Sequence, residues 1–229
     1  MGDGQCEKPK EASPFLIAPQ RIDAFGDVSR PCALLARRDK ALAVALKAVG
    51  KPHIRRRPGG MEGLFRIIVE QQVSVPSAQA IWARCRDGVD VGDASAIGAL
   101  GETGLRALGL STPKAGYVFA LAAAIEKGGI DLSARAAADD EDAAKALTAL
   151  KGVGPWTAAI YLLFCEGRVD VWPPGDVALQ AAYGAASGLS AKFNGSELDR
   201  RAAFWAPYRG LAAHILWTYY AHLRGRTPI

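Results

Sequence analysis

Cysteine clusters, long apolar runs and strand patterns are scarce in this sequence, and each shortage excludes a class of protein. The 229 residues include four cysteines with no CxxC pair and no histidine at ligand spacing: Cys6, Cys32, Cys85 and Cys165. This scatter argues against a zinc site, an iron–sulfur cluster or a disulfide scaffold, so we expect free thiols. No apolar run approaches the about 20 residues of a membrane span, and the first dozen residues lack the apolar core of a signal peptide. We therefore expect a soluble protein of the cell interior.

Positive charge is in modest excess. The formal net charge of +5 permits an anionic partner without requiring one. Part of the excess is clustered in ARRDK at residues 36–40, HIRRRPGG at residues 53–60 and HLRGR at residues 222–226. Each cluster taken alone is equally consistent with solvated charge and snorkelling arginine side chains.

Helical patterns occupy most of the chain. Alanine-rich runs such as DKALAVALKAV, ALAAAIEKGG and EDAAKALTAL are opened by Asp, Ser or Thr or closed by Gly, as short helices are. The best candidate for extended chain, RVDVW at residues 168–172, is stopped by Pro173 and Pro174. We predict an all-α protein of about ten short helices, preceded by a leader, residues 1–30, that is partly pinned to the body.

The segment EDAAKALTALKGVGPWTAAIYLLF, residues 141–164, has the pattern of two helices joined by a Gly-Val-Gly turn. An amphipathic helix runs into Leu150, and a second helix begins near Pro155, where proline suits the first turn. Gly152 and Gly154 remove side chains from the turn, so backbone N–H groups at the second helix can face a phosphate. On this fragment alone, a helix C-cap also explains Gly152 and close packing also explains Gly154.

An aspartate follows the hairpin at a second helix start. In VDVWPPGDVALQAAYG, residues 169–184, a Pro-Pro-Gly turn precedes Asp176, about 22 residues after Gly154. An Asp in this position is usually a helix cap that contributes about 1 kcal/mol. An anion held at a dipole-positive helix start, beside a groove that binds phosphate, is also suited to stabilising positive charge that develops on a sugar.

These segments together resemble the helix-hairpin-helix, Gly/Pro-rich, Asp superfamily of base-excision DNA glycosylases, and within it the 3-methyladenine DNA glycosylase II family. Three further segments carry the resemblance: FRIIVEQQVSVPSAQAIW from Phe65, LRALGLSTPKAGYV from Leu105 and WAPYRGLAAHILW from Trp205.

The resemblance implies two helical lobes with the active-site cleft between them. One lobe would be a six-helix barrel with the hairpin, residues 59–168. Residues 31–58 and 169–229 would pair as the second lobe, which carries the catalytic Asp. The leader is short for the extra sheet domain of longer relatives, so the compact type is expected.

The resemblance also implies a reaction. Such enzymes flip a damaged nucleotide out of duplex DNA, hydrolyse its N-glycosidic bond and leave an abasic site; alkylated purines such as 3-methyladenine and 7-methylguanine are the expected bases. The family's catalytic aspartate falls on Asp176. Members that also nick the strand have a lysine where this sequence has Trp156, so a monofunctional enzyme without AP lyase activity is implied. Two alternatives stay open: a glycosylase for uracil, hypoxanthine or an oxidised purine, and a non-catalytic helix-hairpin-helix DNA-binding module.

Further site residues follow from the resemblance. Trp156 and Trp217 match positions that line the base pocket, although either could be a core tryptophan. Ile160 stands where a relative has a pocket tyrosine, with Tyr161 as its neighbour, so a less aromatic pocket is expected. Glu70 replaces a glycine that is usual in the family, and the sequence offers no explanation for this negative charge near the expected DNA surface.

DNA contacts are expected at the EQQVS loop and at the hairpin. Gln72 matches the residue that fills the gap left by the flipped nucleotide, with Gln71 and Ser74 bracing the loop, although Gln72 could equally be a surface residue. The expected DNA-binding set is Gln71, Gln72, Ser74, Gly152, Val153, Gly154, Trp156 and Thr157. Backbone carbonyls of Thr148, Leu150 and Val153 match positions that hold Na⁺ or K⁺ in relatives.

The expected partner is double-stranded DNA that contains a damaged base. The resemblance implies no required cofactor, no iron–sulfur cluster and no membrane partner. A monomer in the cytoplasm, associated with the nucleoid if the source is bacterial, is the expected working form.

Overall fold

The fold is all-α, as the sequence predicts. The computed structural model describes residues 21–132, 138–188 and 193–228, so Cys6 and the first 20 residues of the predicted leader lie outside the described residues. Within these ranges the regular elements are helical, and the extended pairing is a single bridge between Arg21 and Arg168. The α-helices are α1 (Ser29–Arg38), α2 (Lys40–Val49), α3 (Gly60–Glu70), α4 (Val75–Gly88), α5 (Ala94–Ala107), α6 (Thr112–Glu126), α7 (Asp140–Thr148), α8 (Pro155–Phe164), α9 (Val177–Ala186), α10 (Gly195–Ala202) and α11 (Arg209–Leu223). Short 3-10 helices span Ile22–Phe25 and Ala203–Trp205.

Six of the eleven α-helices named above have a side-chain N-cap, at positions where the sequence has Asp, Ser or Asn. The capping oxygen accepts a bond from a backbone N–H group of the first turn, which would otherwise lack a helical partner. The capping residues are Asp39, Ser74, Asp93, Asp139, Asp176 and Asn194. Proline occupies the first turn of α4, α6 and α8, where its missing N–H costs nothing. Helix starts were therefore readable from local chemistry.

Buried apolar side chains form two clusters. The first lies among α3 to α8 and includes Phe65 and Leu147. The second packs α1, α2 and α9 to α11 together and includes Leu42 and Trp205. Trp217 on α11 is partly buried against both clusters. The domain boundaries given above stay a prediction. No helix in the described ranges is long and apolar enough to span a membrane.

The connection from α8 to α9 is fixed by polar contacts to later helices. Asp170 accepts two bonds from the guanidinium of Arg209, at 2.9 and 3.0 Å. Asp199 on α10 accepts a bond from Nε1 of Trp172 at 2.8 Å. These contacts hold the Pro-Pro-Gly turn at a defined position. Asp176, which follows this turn, is thereby placed beside the start of α8.

Candidate active site

The helix-hairpin-helix is formed by α7 and α8. Helix α7 ends at Thr148, two residues before the predicted end, and α8 begins at Pro155 as predicted. Between them the Val153 N–H donates to the Leu150 carbonyl at 3.1 Å, which closes the turn. The first N–H groups of α8 take no part in the bond that closes the turn, and they are available to an anion.

The two hairpin glycines differ in what requires them. Gly152 has φ +82, and a Cβ atom there would overlap the ring of Tyr117, so both its conformation and its neighbour demand glycine. Gly154 has φ −86 and is exposed, and a Cβ atom there would meet nothing within 4 Å. Close packing within the described protein therefore does not explain Gly154. The space beside it is open to a ligand.

Asp176 is held by neutral N–H donors. Its Oδ1 accepts bonds from the backbone N–H groups of Ala178 and Leu179, both at 2.9 Å, at the start of α9. Its Oδ2 accepts a bond from Nε1 of Trp156 at 3.0 Å. Within the described ranges no cationic side chain lies within 4.0 Å of this carboxylate. The negative charge is oriented but is not neutralised by an ion pair.

Gln71 connects the end of α3 to the hairpin. Its Nε2 donates to the Gly152 carbonyl at 3.1 Å and to the Thr157 hydroxyl at 2.9 Å. Thr157 is buried, so the bond satisfies a hydroxyl that water does not reach. Gln71 thus fixes the distance between the EQQVS loop and the start of α8.

Gln72 is the loop residue that projects from this frame. It is exposed and has φ +52, a left-handed conformation that non-glycine residues rarely adopt. Lys114 on α6 supports the loop: its Nζ donates to the carbonyls of Val69 at 2.8 Å and Gln71 at 2.6 Å. Burial lowers the pKa of Lys114. Lys114 was not among the predicted site residues. The one feature of the sequence that could have indicated it is its place in the LRALGLSTPKAGYV segment, which carries the family resemblance.

These residues surround one open cavity, here called the hairpin cavity, of about 1140 Å³. The predicted residues that line it are Gln71, Gln72, Thr148, Leu150, Gly152, Val153, Gly154, Trp156, Thr157 and Asp176. Lys114 and Tyr117, which were not predicted, line it as well. The structure therefore brings together the aspartate, the hairpin and the glutamine loop, which lie more than 20 residues apart in sequence.

Four predicted site residues do not line the hairpin cavity: Ser74, Ile160, Tyr161 and Trp217, the last of which is described below. Ser74 is the N-cap of α4 and accepts from the Ser77 N–H at 3.3 Å. Ile160 and Tyr161 are 3% and 1% exposed in the first apolar cluster, and the Tyr161 hydroxyl accepts from the Gly60 N–H. Neither lines the hairpin cavity, because both lie more than a helical turn beyond the exposed start of α8. Their assignment to a base pocket stays a prediction.

Trp156 also lines a second cavity, here called the arginine cavity, of about 610 Å³. Its basic wall consists of Arg55, Arg56, Arg57 and Arg66, together with the single carboxylate of Glu70. Arg57 donates two bonds to Glu70, at 2.7 and 2.9 Å, and Arg66 donates a third at 3.3 Å. The Glu70 charge that the sequence left unexplained is thus neutralised by two arginines.

Trp217 lines a third, mostly apolar cavity of about 440 Å³. Its ring meets the edge of Phe164 with 5.2 Å between centroids, and His214 packs beside both. Complete burial, reinforced by the charge of Arg55, lowers the pKa of His214 to about 3, so this imidazole is neutral at physiological pH. Trp156 and Trp217 therefore line different cavities in this structure, and Arg55 lines both of those cavities.

The described cysteines are buried, and no metal-ligand cluster is found in the ranges that the structure describes. Cys32, Cys85 and Cys165 are buried free thiols, as predicted, and burial raises the pKa of each. Among the residues the structure describes, no three His, Cys, Asp or Glu side chains are grouped as metal ligands.

Comparison with known families decides the classification. The model of the HhH-GPD superfamily of base excision DNA repair proteins matches residues 65–207. The chain belongs to this superfamily. The match runs from the middle of α3 to just beyond α10, and so the hairpin and Asp176 lie inside it. The resemblance to 3-methyladenine DNA glycosylases is also confirmed by individual relatives.

Two curated relatives are similar over most of this HhH-GPD chain. The Bacillus subtilis protein YfjP, named as a candidate DNA-3-methyladenine glycosylase, is 30% identical over 162 residues, which are 67% of this chain and 56% of that protein. The chain thus spans little more than half of that relative's length. The Schizosaccharomyces pombe alkylbase DNA glycosidase-like protein mag2 is 29% identical over 171 residues, 72% of this chain and 79% of the relative.

Solved structures agree with the fold. A DNA-3-methyladenine glycosidase from Bacillus halodurans superposes with a TM-score of 0.75 at 27% identity, covering 87% of this chain and 93% of that one. The Schizosaccharomyces pombe 3-methyladenine DNA glycosylase Mag1, solved in complex with abasic DNA, gives a TM-score of 0.76 at 24% identity, covering 83% and 96%. The latter likeness concerns the fold alone.

Proposed function

We propose that this HhH-GPD protein is a monofunctional DNA glycosylase of base excision repair that removes alkylated purines from duplex DNA and leaves an abasic site. The observation that carries the proposal is the Asp176 carboxylate, held by three neutral N–H donors in the same cavity as the glycine hairpin. A fixed anion next to a phosphate-binding turn fits a reaction in which a DNA sugar becomes positively charged. The names of the relatives support 3-methyladenine and alkylated bases in general as the bases removed. We extend the proposal to 7-methylguanine, a second cationic alkylated purine.

Asp176 would act on the sugar of the flipped nucleotide. The C1′–N bond breaks with its electron pair moving to the base, and the sugar becomes oxocarbenium-like. The carboxylate stabilises this charge, water adds to C1′, and the water's proton is lost to Asp176 or to solvent. Because the two backbone donors and Trp156 fix the carboxylate before substrate arrives, the group requires little reorganisation in the transition state.

The start of α8 would hold one phosphate of the flipped strand. Gly154 leaves open space there, and the helix dipole adds partial positive charge. Thr148, Leu150 and Val153 line the same cavity, and their carbonyls would hold a cation there. Neutral carbonyl oxygens are suitable ligands for Na⁺ or K⁺. The Leu150 carbonyl accepts one hydrogen bond and keeps a second lone pair. A bound monovalent cation would supply positive charge to the phosphate; the side chains of these three residues play no part.

Gln72 would fill the duplex where the nucleotide leaves. It is exposed, and the contacts of Gln71 and Lys114 hold the backbone just before it. A polar side chain there can hydrogen-bond to the unpaired base on the opposite strand. The partner is therefore double-stranded DNA with one damaged base, bound by a monomer of this chain, in the cytoplasm or on the nucleoid of a bacterial source.

A lyase step is not expected, because Trp156 stands where a Schiff-base lysine would be. Lys114 is the lysine that lines the hairpin cavity, and its ammonium is engaged by two carbonyls. The strand should stay intact after base release until alkali or heat is applied, and borohydride should trap no covalent complex. A trapped complex that disappears in a Lys114→Arg variant would contradict the monofunctional assignment.

A panel of duplexes tests the proposal, each with one defined lesion: 7-methylguanine, 3-methyladenine in a stabilised analogue, hypoxanthine, uracil and an oxidised purine. Release of alkylated bases under single-turnover conditions is the expected result. Release of only the neutral bases would reassign the substrate, an alternative that the arginine cavity favours by its charge. Tight binding with no release of any base would show a DNA-binding module instead.

A further inference from the structure

Four arginines stand close together at the arginine cavity, and three of them have anionic partners. Arg57 and Arg66 share the Glu70 carboxylate, with Arg57 only 6% exposed. Arg56 donates to the Asp23 carboxylate at 2.8 and 3.1 Å. Among the described residues no carboxylate lies within 4.0 Å of the Arg55 guanidinium. Arg55 therefore brings to this wall a positive charge without a direct carboxylate partner, although the more distant Glu70 acts on it.

The Arg55 guanidinium lies over an aromatic ring. Its central carbon is 5.0 Å from the centroid of Phe164, and Arg57 lies over the same ring at 5.7 Å. The backbone N–H of Arg55 contacts Nδ1 of His214, which helps to fix the residue's position. The face of Phe164 that would attract a cation is therefore already occupied by cations.

Arg55 also lies between the two tryptophans. It lines the arginine cavity together with Trp156 and the third cavity together with Trp217. The Asp176 carboxylate is 3.0 Å from the Trp156 indole nitrogen, so a base attached to a sugar at Asp176 comes close to this tryptophan. The arginine cavity has a volume in the range of small-molecule pockets. Arg55 is thus the arginine that a base meets in either cavity, beside His53 and Val75, which also line both.

The charge of Arg55 is poorly screened. Burial, reinforced by the nearby charges of Arg57 and Arg66, lowers the pKa of Arg55 to about 10, so it stays protonated at physiological pH while lacking much of its hydration. Like charges repel more strongly where solvent screening is weak. A permanently cationic base such as 7-methylguanine meets this repulsion, whereas a neutral base does not.

The same charge has the opposite effect on a neutral base during bond cleavage. A neutral base that departs with the electron pair of the C1′–N bond acquires negative charge, and a nearby guanidinium stabilises it. A cationic base departs as a neutral molecule and gains nothing from the guanidinium. We propose that Arg55 is a specificity-determining residue of the base cavity, which lowers the preference of the enzyme for permanently cationic purines relative to neutral purine lesions with a carbonyl group. This inference rests on the proposed glycosylase function.

The test compares two duplexes that differ in one base, 7-methylguanine or hypoxanthine. Single-turnover release is measured with saturating wild-type protein and with Arg55→Met, Arg55→Lys and Arg86→Met. The measured quantity is the ratio of the 7-methylguanine rate to the hypoxanthine rate. Arg55→Met should raise this ratio about tenfold, the scale of one partly screened charge interaction. Arg55→Lys keeps the charge and should stay close to wild type.

Arg86→Met is the matched control, because this exposed arginine on α4 lines none of the three cavities. An unchanged ratio in a stably folded Arg55→Met variant would overturn the proposal, as would an equal rise in the Arg86→Met control. If the methionine variant does not fold, Arg55→Gln gives the same comparison with a polar side chain. Failure of the glycosylase function would look different: the wild-type protein would release neither base, and both proposals would fall together.

Discussion

Asp176 in the hairpin cavity and Glu70 in the arginine cavity are both carboxylates near Trp156, yet their surroundings differ. Asp176 accepts bonds from two backbone N–H groups and one indole. Glu70 accepts three bonds from two arginines. Neutral donors orient a negative charge and leave it uncancelled, whereas guanidinium partners cancel it. The partners of a carboxylate, and not its charge alone, decide whether it can stabilise a cationic sugar.

The largest effect is expected for Asp176→Asn. Asn can still accept the bonds from Ala178 and Leu179, so α9 keeps its cap while the negative charge is lost. Base release should fall by about 10²- to 10³-fold, the scale of one preorganised electrostatic contact. Single-turnover release, melting temperature and DNA affinity are the measurements. Asp93→Asn, at the cap of α5, is a matched control that should leave release unchanged.

A smaller loss is expected for Trp156→Phe, which keeps an aromatic ring and deletes the indole N–H. The Oδ2 of Asp176 then loses its side-chain donor and becomes less well oriented. Release should fall about ten- to a hundredfold, because a hydrogen bond to a charged group contributes about 1.5 to 3 kcal/mol. DNA affinity should change little. A wild-type rate in a folded Phe variant would show that Trp156 does not orient the carboxylate.

Gly154→Asp should weaken binding to damaged and undamaged duplexes alike, by about three- to tenfold, since it adds negative charge where a phosphate is expected. Gly154→Ala separates charge from bulk: φ is −86 and the space is open, so the alanine variant should fold normally. Affinity is measured at two salt concentrations. Equal affinity of the Asp variant and wild type would remove the start of α8 from the DNA interface.

Glu70→Gln should change release least and stability most. The buried Arg57 loses its anionic partner, at a cost of about 1 to 3 kcal/mol after allowance for the partial exposure of Glu70. The melting temperature should drop by about 2 to 10 °C for a chain of this size. Release of 7-methylguanine per folded molecule should stay within about tenfold of wild type, because the freed charges of Arg57 and Arg66 act on a cationic base on the same scale as Arg55. A loss of release as large as that of Asp176→Asn would erase the contrast between the two carboxylates.

The elements of this contrast differ in how far the sequence predicts them. The hairpin and the cap of α9 depend on neighbouring residues, so local spacing was enough to place Gly152, Pro155 and Asp176. The bond from Trp156 to Asp176 joins residues 20 apart, and it depends on how α8 and α9 pack. No periodicity encodes that distance.

Partners from distant segments were the least predictable part. In the sequence, Arg57 is one member of a basic run and Glu70 is an unexplained acid. Their pairing across 13 residues requires the bend before α3, which local patterns do not predict. Lys114 reads as an ordinary helical lysine until α6 is packed against the end of α3. The different reasons for the two hairpin glycines also appear only when the ring of Tyr117 is placed.

The most direct test of the account is the ratio of single-turnover base release by Glu70→Gln to that by Asp176→Asn, measured on one 7-methylguanine duplex at saturating protein. Both substitutions replace a carboxylate by its amide, so the ratio compares the loss of each negative charge together with the hydrogen bonds that it accepts. The expected ratio is at least about ten, with both variants folded at the assay temperature. A ratio near one would contradict the assignment of Asp176 as the carboxylate that stabilises the sugar.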